Sequence, residues 1–276
     1  MNPTFKIKYL EKYGLNEAPY TTNPDERFLF LTRSHKHAIS LIEHTLELRE
    51  GVCLIKGEAG TGKTTIMRRI ASLLSSNKSF KIGVIENAGD VSTKYQLINE
   101  VLEAFGLTDK GKGKGKKARI DQLKVFLLDA YKENMVPVLL IDESQQFPAS
   151  LLEELRGYLN IETSKQKLLQ IILFAMPNIN RKLPYAKSLA NRLTITILEE
   201  MNETEVEDML RWRFTQAGGN NFPFDQDSIT LLYSITKGNP RLICGLAQLA
   251  IELASERDVK ITTSVIDEVS KFKFIS

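Results

Sequence analysis

Gly57-Glu58-Ala59-Gly60-Thr61-Gly62-Lys63-Thr64 reads G-x-x-x-x-G-K-[ST], a spacing suited to holding a phosphate chain. Glycines let backbone N–H groups curl around phosphate oxygens, and a helix opening at the lysine turns its positive end toward them. In that arrangement Lys63 bridges the β- and γ-phosphates and Thr64 holds Mg2+, so ATP with Mg2+ is the expected ligand over Gly57–Thr65. A second group lies downstream. Val138-Leu139-Leu140-Ile141-Asp142-Glu143 is an apolar run ending in two carboxylates. Asp142 is expected in the Mg2+ shell, and Glu143 is expected to polarise the attacking water as general base. An acid pair at a strand end is common by itself. Downstream of a phosphate loop, in this order, the adjacent glutamate points to hydrolysis rather than to a kinase or a passive nucleotide binder.

Charge supplies a third group. The net charge is +3, yet Lys110, Lys112, Lys114, Lys116, Lys117 and Arg119 place six positive charges and no acid in ten residues. Without those six the chain carries −3, so its basic character is local, as in a loop that meets a polyanion. Lysines contribute sequence-independent affinity for phosphates, and the alternating glycines suit following a backbone rather than reading bases. A polyanion is the expected partner of these six residues, with Lys94 and Tyr95 as further candidates; a solvated lysine loop is the alternative.

The elements that must position these groups follow from hydrophobic spacing. Val52–Lys56 reads as a short buried strand and Val136–Ile141 as a central parallel one, with Lys81–Ile85, Leu168–Phe174 and Leu193–Leu198 as the further strands. Helical spacing falls between them, over 35–49, after the phosphate loop, and over 95–105, 120–131 and 151–159, with Pro148 at a helix N1 position. The glycine–lysine segment 110–117 reads as a flexible loop, because alternating glycines cost a helix too much backbone entropy. Alternating strands and helices predict right-handed crossovers and a doubly wound parallel sheet. From Asn202, which forms a capping-box pattern with Glu205, strands cease and helices are expected over 203–216, 226–236, 240–256 and 263–271. The organisation expected is an N-terminal extension with a first helix (1–50), an α/β nucleotide-binding domain (51–200) and a helical lid domain (201–276).

Composition bounds the rest. At 42% hydrophobic and 26% charged, the chain is ordinary for a globular protein. No apolar run approaches the ~20 residues that span a bilayer, and the N-terminus lacks the apolar core of a secretory signal. Cys53 and Cys244 lie in separate apolar segments and read as reduced core thiols, which fits the cytoplasm. Three histidines at no metal-ligand spacing argue against a structural zinc.

The order of phosphate loop, insertion, Asp-Glu strand, further strands and helical lid resembles an AAA+ ATPase. More closely, it resembles the ExeA/GspA-type and TnsC/TniB/MuB-type branch. The matching stretches include Tyr13-Gly14-Leu15 with Glu17-Ala18-Pro19-Tyr20, Gly57–Thr65, Ile141–Gln145, Leu189-Ala190-Asn191-Arg192 and Gly238-Asn239-Pro240-Arg241. The resemblance implies an AAA+ fold whose subunits assemble head to tail, with a neighbour's arginine completing each ATP site. Arg192 matches that arginine finger, with Arg181 in reserve, and Arg241 matches the sensor 2 arginine that touches the nucleotide. One departure stands out: where the branch commonly has Gly-Gln-Pro after the fourth strand, this chain has Ala175-Met176-Pro177. Met176 cannot orient a water and Asn178 is the nearby substitute, so hydrolysis is expected to be slow or partner-stimulated.

The resemblance leaves two roles open. One is a regulator of DNA transposition that assembles on duplex target DNA, as a ring or helical filament of about six or seven subunits per turn, and recruits a transposase through a target-selection adaptor; the resemblance implies DNA contacts where Lys110–Arg119 fall. A CRISPR-associated transposon, a mercury-resistance-like transposon and a phage-like element all fit. The other is a cytoplasmic ATPase of a secretion or envelope-assembly pathway, of the ExeA/GspA kind. Those proteins continue into a transmembrane helix, and Lys271-Phe272-Lys273-Phe274-Ile275-Ser276 does not read as the start of one, so the transposition role with no membrane partner is the expectation. A signalling switch of the STAND type usually carries sensor repeats, and no repeat is seen.

Overall fold

The computed structural model describes residues 8–23, 25–107, 115–164 and 166–274. Its strands are β1 (Val52–Gly57), β2 (Phe80–Ile85), β3 (Val136–Ile141), β4 (Gln170–Ala175) and β5 (Thr194–Leu198). In chain order the helices are α1 (Lys8–Tyr13), α2 (Arg33–Glu47), α3 (Lys63–Ser75), α4 (Lys94–Ala104), α5 (Lys116–Lys132), α6 (Ala149–Leu159), α7 (Lys187–Ala190), α8 (Glu203–Gln216), α9 (Gln226–Thr236), α10 (Pro240–Glu256) and α11 (Thr263–Phe274). The described residues form two compact units. Arg33–Ala59 with Lys63–Leu198 make a sheet unit; the residues up to Thr32, Gly60–Gly62 and those from Glu199 onward make a helical unit.

The sheet is parallel, in the order β2-β3-β4-β1-β5. Inner strands β3 and β4 are buried at every residue, as a parallel sheet covered on both faces requires. Edge strands β2 and β5 alternate buried with exposed or half-buried residues instead. Along the inner strands every second residue points to one face. Leu54, Leu139, Ile141, Ile171 and Leu173 there join Leu97, Val101, Leu123, Leu127, Leu152 and Leu155 of α4, α5 and α6 in one core. The buried side chains of α2 and α3, among them Ile42 and Ile66, lie outside that cluster. The ladder pairs Lys56 with Ala175 and Ile141 with Leu173, so β4 stands between β1 and β3 and its last residues end between the phosphate loop and the Asp-Glu turn.

The helical unit has a core of its own, in which Tyr9, Leu15, Tyr20 and Phe28 pack with residues of α8, α9, α10 and α11. Tyr20 is fully buried, and its hydroxyl donates to the Leu210 carbonyl at 3.1 Å. Asn202 and Glu205 cap α8 reciprocally, each side chain accepting the other's backbone N–H. Among the described residues no helix is long and apolar enough to cross a membrane. Cys53 and Cys244 are buried and form no disulfide, and burial pushes the Cys53 thiol up to about 12.

Two expectations need correction. Helix α5 begins at Lys116, so Lys116, Lys117 and Arg119 are helical rather than part of a loop. Once the alternating glycines end at Gly115, Lys-Lys-Ala-Arg is a run of good helix formers. Pro148 is the N-cap of α6, one position before the first helical turn, where its missing N–H also costs nothing.

Candidate active site

β1 delivers Gly57 from a buried strand, and α3 starts six residues later at Lys63. The turn between them needs glycine at two places: Gly60 at φ +87 and Gly62 at φ +96 lie in the left-handed region. Gly60 is further constrained within the helical unit, where an added Cβ would stand 2.6 Å from Asn239 Oδ1 and 2.8 Å from Arg241 Cβ. Lys63 is 5% exposed, and its Nζ reaches back across the loop to donate to the Gly57 and Glu58 carbonyls, each at 2.8 Å. Thr61 is buried, Ala59 and Glu58 are exposed, and Thr64 and Thr65 are half-buried on the first turn of α3.

Thr64 and Asp142 meet at the ends of their elements. Thr64 Oγ1 donates to Asp142 Oδ2 at 2.5 Å, while Oδ1 of the same carboxylate accepts the Glu143 N–H at 2.8 Å. Asp142 is 2% exposed. Burial pushes its carboxyl up, against the opposing pull of the Thr64 hydrogen bond and of Lys63. A hydroxyl and a buried carboxylate that converge beside a buried ammonium are the donor set of an Mg2+ shell, and a carboxylate penalised by burial is one a dication relieves. The residues present therefore fit Mg2+ with a nucleotide phosphate chain, with Thr64 and Asp142 able to hold the metal and 57–65 the phosphates.

Glu143 follows at φ +50, a left-handed conformation unusual for glutamate. Its carboxylate accepts a hydrogen bond from Gln145 Nε2. The turn after it is bound to β4 and the segment beyond: Ser144 Oγ donates to the Phe174 carbonyl at 2.9 Å, and Lys182 Nζ donates to the carbonyls of Gln145, Gln146 and Phe147. Met176 is half-buried at the end of β4, whereas Asn178 is exposed. Sequence reasoning singled out neither Gln145 nor Lys182 as functional; only the strand order brings the 174–182 segment against the turn.

The three arginines lie differently. Arg192 is exposed, donates to Asn160 Oδ1 at 2.9 Å and lies near Glu162; Arg181 is also exposed. In the helical unit, Gly238 takes φ +77, and a Cβ there would strike the Met201 carbonyl at 1.9 Å. Asn239 then caps α10, accepting from the Leu242 N–H, and Pro240 fills its first turn. That local chemistry sets Arg241, exposed, on the first turn of α10.

Of the six basic residues, Lys110, Lys112 and Lys114 lie outside the described residues. Lys116 Nζ pairs with Glu154 Oε1 at 2.6 Å, and Lys94 Nζ with the other oxygen at 3.0 Å. Burial raises Glu154, but those two lysines outweigh it and hold the carboxyl below its ordinary range. Arg119 is half-buried and reaches Gln122, whereas Lys117 is exposed on the first turn of α5. Tyr95 is exposed as well.

The AAA domain family matches residues 46–183, half of the chain. General secretion pathway protein A of Aeromonas hydrophila is 30% identical over 252 residues, covering 90% of this chain; the chain spans 45% of the length of that relative. Among solved structures, the ORC2 protein of Aeropyrum pernix in ADPNP and ADP complexes aligns with a TM-score of 0.67 at 17% identity, over 93% of this chain and 71% of that one. The ORC1 protein of the same organism, in complex with DNA, gives 0.65 at 18% identity over 92% and 68%. Those two likenesses concern the fold: a parallel α/β sheet with a helical region after it. Phosphate loop, Asp-Glu strand and matched residues agree, and the chain belongs to the AAA domain family, with the fold of an AAA+ ATPase.

Proposed function

We propose that this chain binds and hydrolyses ATP with Mg2+ and uses that cycle to time its own assembly on duplex DNA during transposition, where it recruits or activates a transposase. The observation that carries the ATPase part is the Thr64–Asp142 pair, closed to 2.5 Å across 78 residues of sequence beside buried Lys63. Mg2+, when bound, neutralises phosphate charge and polarises the γ-phosphoryl group. Lys63 and the N–H groups of 57–65 hold the phosphate chain in place. Glu143 takes the proton of the attacking water as its oxygen bonds phosphorus and the bond to the β-phosphate oxygen breaks. Arg192 from a neighbouring subunit stabilises the charge that develops, Arg241 reads the nucleotide from the helical lid, and Met176, which lacks a polar side chain, keeps turnover slow until a partner contributes.

Support for DNA as the partner comes from the basic segment Lys110–Arg119 and from the kinship in fold with ORC1, whose structure holds DNA. On this reading DNA phosphates compete with Glu154 for Lys94 and Lys116, while Lys117 already faces solvent. A second reading, an ATPase of a secretion or envelope-assembly pathway, is favoured by the 30% identity to the Aeromonas hydrophila secretion protein. Electron microscopy with duplex DNA and a non-hydrolysable ATP analogue separates the two. Nucleotide-dependent rings or filaments on DNA are expected. Monodisperse particles indifferent to DNA would overturn the transposition reading in favour of the secretion one.

A further inference from the structure

Gln145 is 6% exposed, and both ends of its amide are committed. Nε2 donates to the Glu143 carboxylate, and Oε1 accepts the Met176 N–H at 2.9 Å. A glutamine amide has a donor end and an acceptor end, so satisfying one partner fixes which end faces the other. The Met176 N–H can only donate; Oε1 must therefore face it, and Nε2 is left facing Glu143. The frame around this bridge is braced on both sides. The turn carrying Gln145 is tied to β4 through Ser144 and the Phe174 carbonyl, and to the following segment through Lys182, which donates to Gln145 O at 2.5 Å and Phe147 O at 2.8 Å.

We infer that Gln145 is the positioning residue of Glu143, coupling the carboxylate to the end of β4. The inference rests on the reading of Glu143 as general base. Its chemistry compensates for the apolar side chain at position 176: the polar group offered by the end of β4 is a backbone N–H, relayed to the carboxylate by one amide. The bond aims the carboxylate as it leaves a left-handed turn. Groups that orient a reacting group in this way typically change activity by about 10- to 100-fold when removed.

Two variants of the full chain test this, Gln145→Ala and the isosteric Gln145→Glu, with kcat and KM for ATP measured separately. For Gln145→Ala, kcat should fall by about 10- to 100-fold while KM stays within about twofold. Gln145→Glu keeps the side-chain volume but sets an acceptor where the donor stood, so its kcat should fall at least as far. An unchanged kcat in both variants, or a loss carried by KM with kcat intact, would overturn the role. Glu143→Gln is the control for the reading beneath it. Full turnover in Glu143→Gln would remove Glu143 as the base, whereas lost turnover there together with an unaffected Gln145→Ala would remove only the positioning role.

Discussion

Lys63, Thr64 and Asp142 on one side, and Arg192, Arg181 and Arg241 on the other, are held in opposite ways. The first three are buried or half-buried and held by hydrogen bonds within the chain: lysine to two carbonyls, threonine to aspartate, aspartate to the next backbone N–H. The arginines are exposed, and the Asn160 contact of Arg192 is an exposed hydrogen bond to a neutral acceptor, of the kind that yields at little cost to a phosphate. A half-site that must bind phosphate within one chain is preorganised, because reorganisation at the moment of binding would weaken it. A group that serves a neighbour's site is left at the surface, where assembly can supply what fixes it. On the function proposed above, the contrast separates Lys63, Thr64 and Asp142, which would hold metal and phosphate, from Arg192 and its reserve Arg181, which would make hydrolysis depend on a second copy. Arg241 is exposed too, but would read the nucleotide from the helical lid.

The sharpest way to break this contrast is Arg192→Ala. Under assembly conditions turnover should fall by about 1,000-fold with nucleotide affinity nearly unchanged. Mixing Arg192→Ala with Glu143→Gln should restore part of the activity, since mixed interfaces pair an intact base with an intact finger. Steady-state phosphate release on the mixture measures this, and no recovery would assign Arg192 a role within its own chain. Lys63→Ala comes next. Removing a charged hydrogen-bond donor from the phosphates should weaken binding of a fluorescent ATP analogue by about 100-fold, with thermal stability changed little. Undiminished affinity would take Lys63 out of the phosphate site.

The smallest effect concerns Asp142. Burial raises its carboxyl, so the folded chain holds that proton more tightly than the unfolded chain does. Its contribution to metal-free stability is therefore favourable at low pH and declines as pH rises through the carboxylate range to the raised folded value. Thermal scans of the metal-free protein should show this decline shrinking by a few degrees in Asp142→Asn, and Mg2+ with nucleotide should offset it in the wild-type chain only. An identical pH slope in both proteins would mean that burial of Asp142 carries no net penalty.

What the amino-acid sequence determined by itself is the local chemistry. Glycines at 60 and 62 permit the left-handed loop, Asn202 with Glu205 caps α8, and Asn239 with Pro240 starts α10. An unbroken apolar run makes β3 an inner strand, and the helices found over 203–216, 226–236 and 240–256 follow from spacing and caps. Each of these is settled by neighbours within a few residues, so the pattern is written where it acts. Tertiary structure alone decided the placements that span long stretches of chain. The order β2-β3-β4-β1-β5 sets Met176 between the phosphate loop and the Asp-Glu turn and lets Gln145 bridge to it. Packing of α4, α5 and α6 brings Lys94 and Lys116 onto one carboxylate, turning part of a basic run into ion pairs. The first described helix and the loop to Thr32 join the helical unit, because their aromatic side chains complete its core. Sequence spacing carries no record of such contacts: they depend on which buried surfaces meet once the strands have paired.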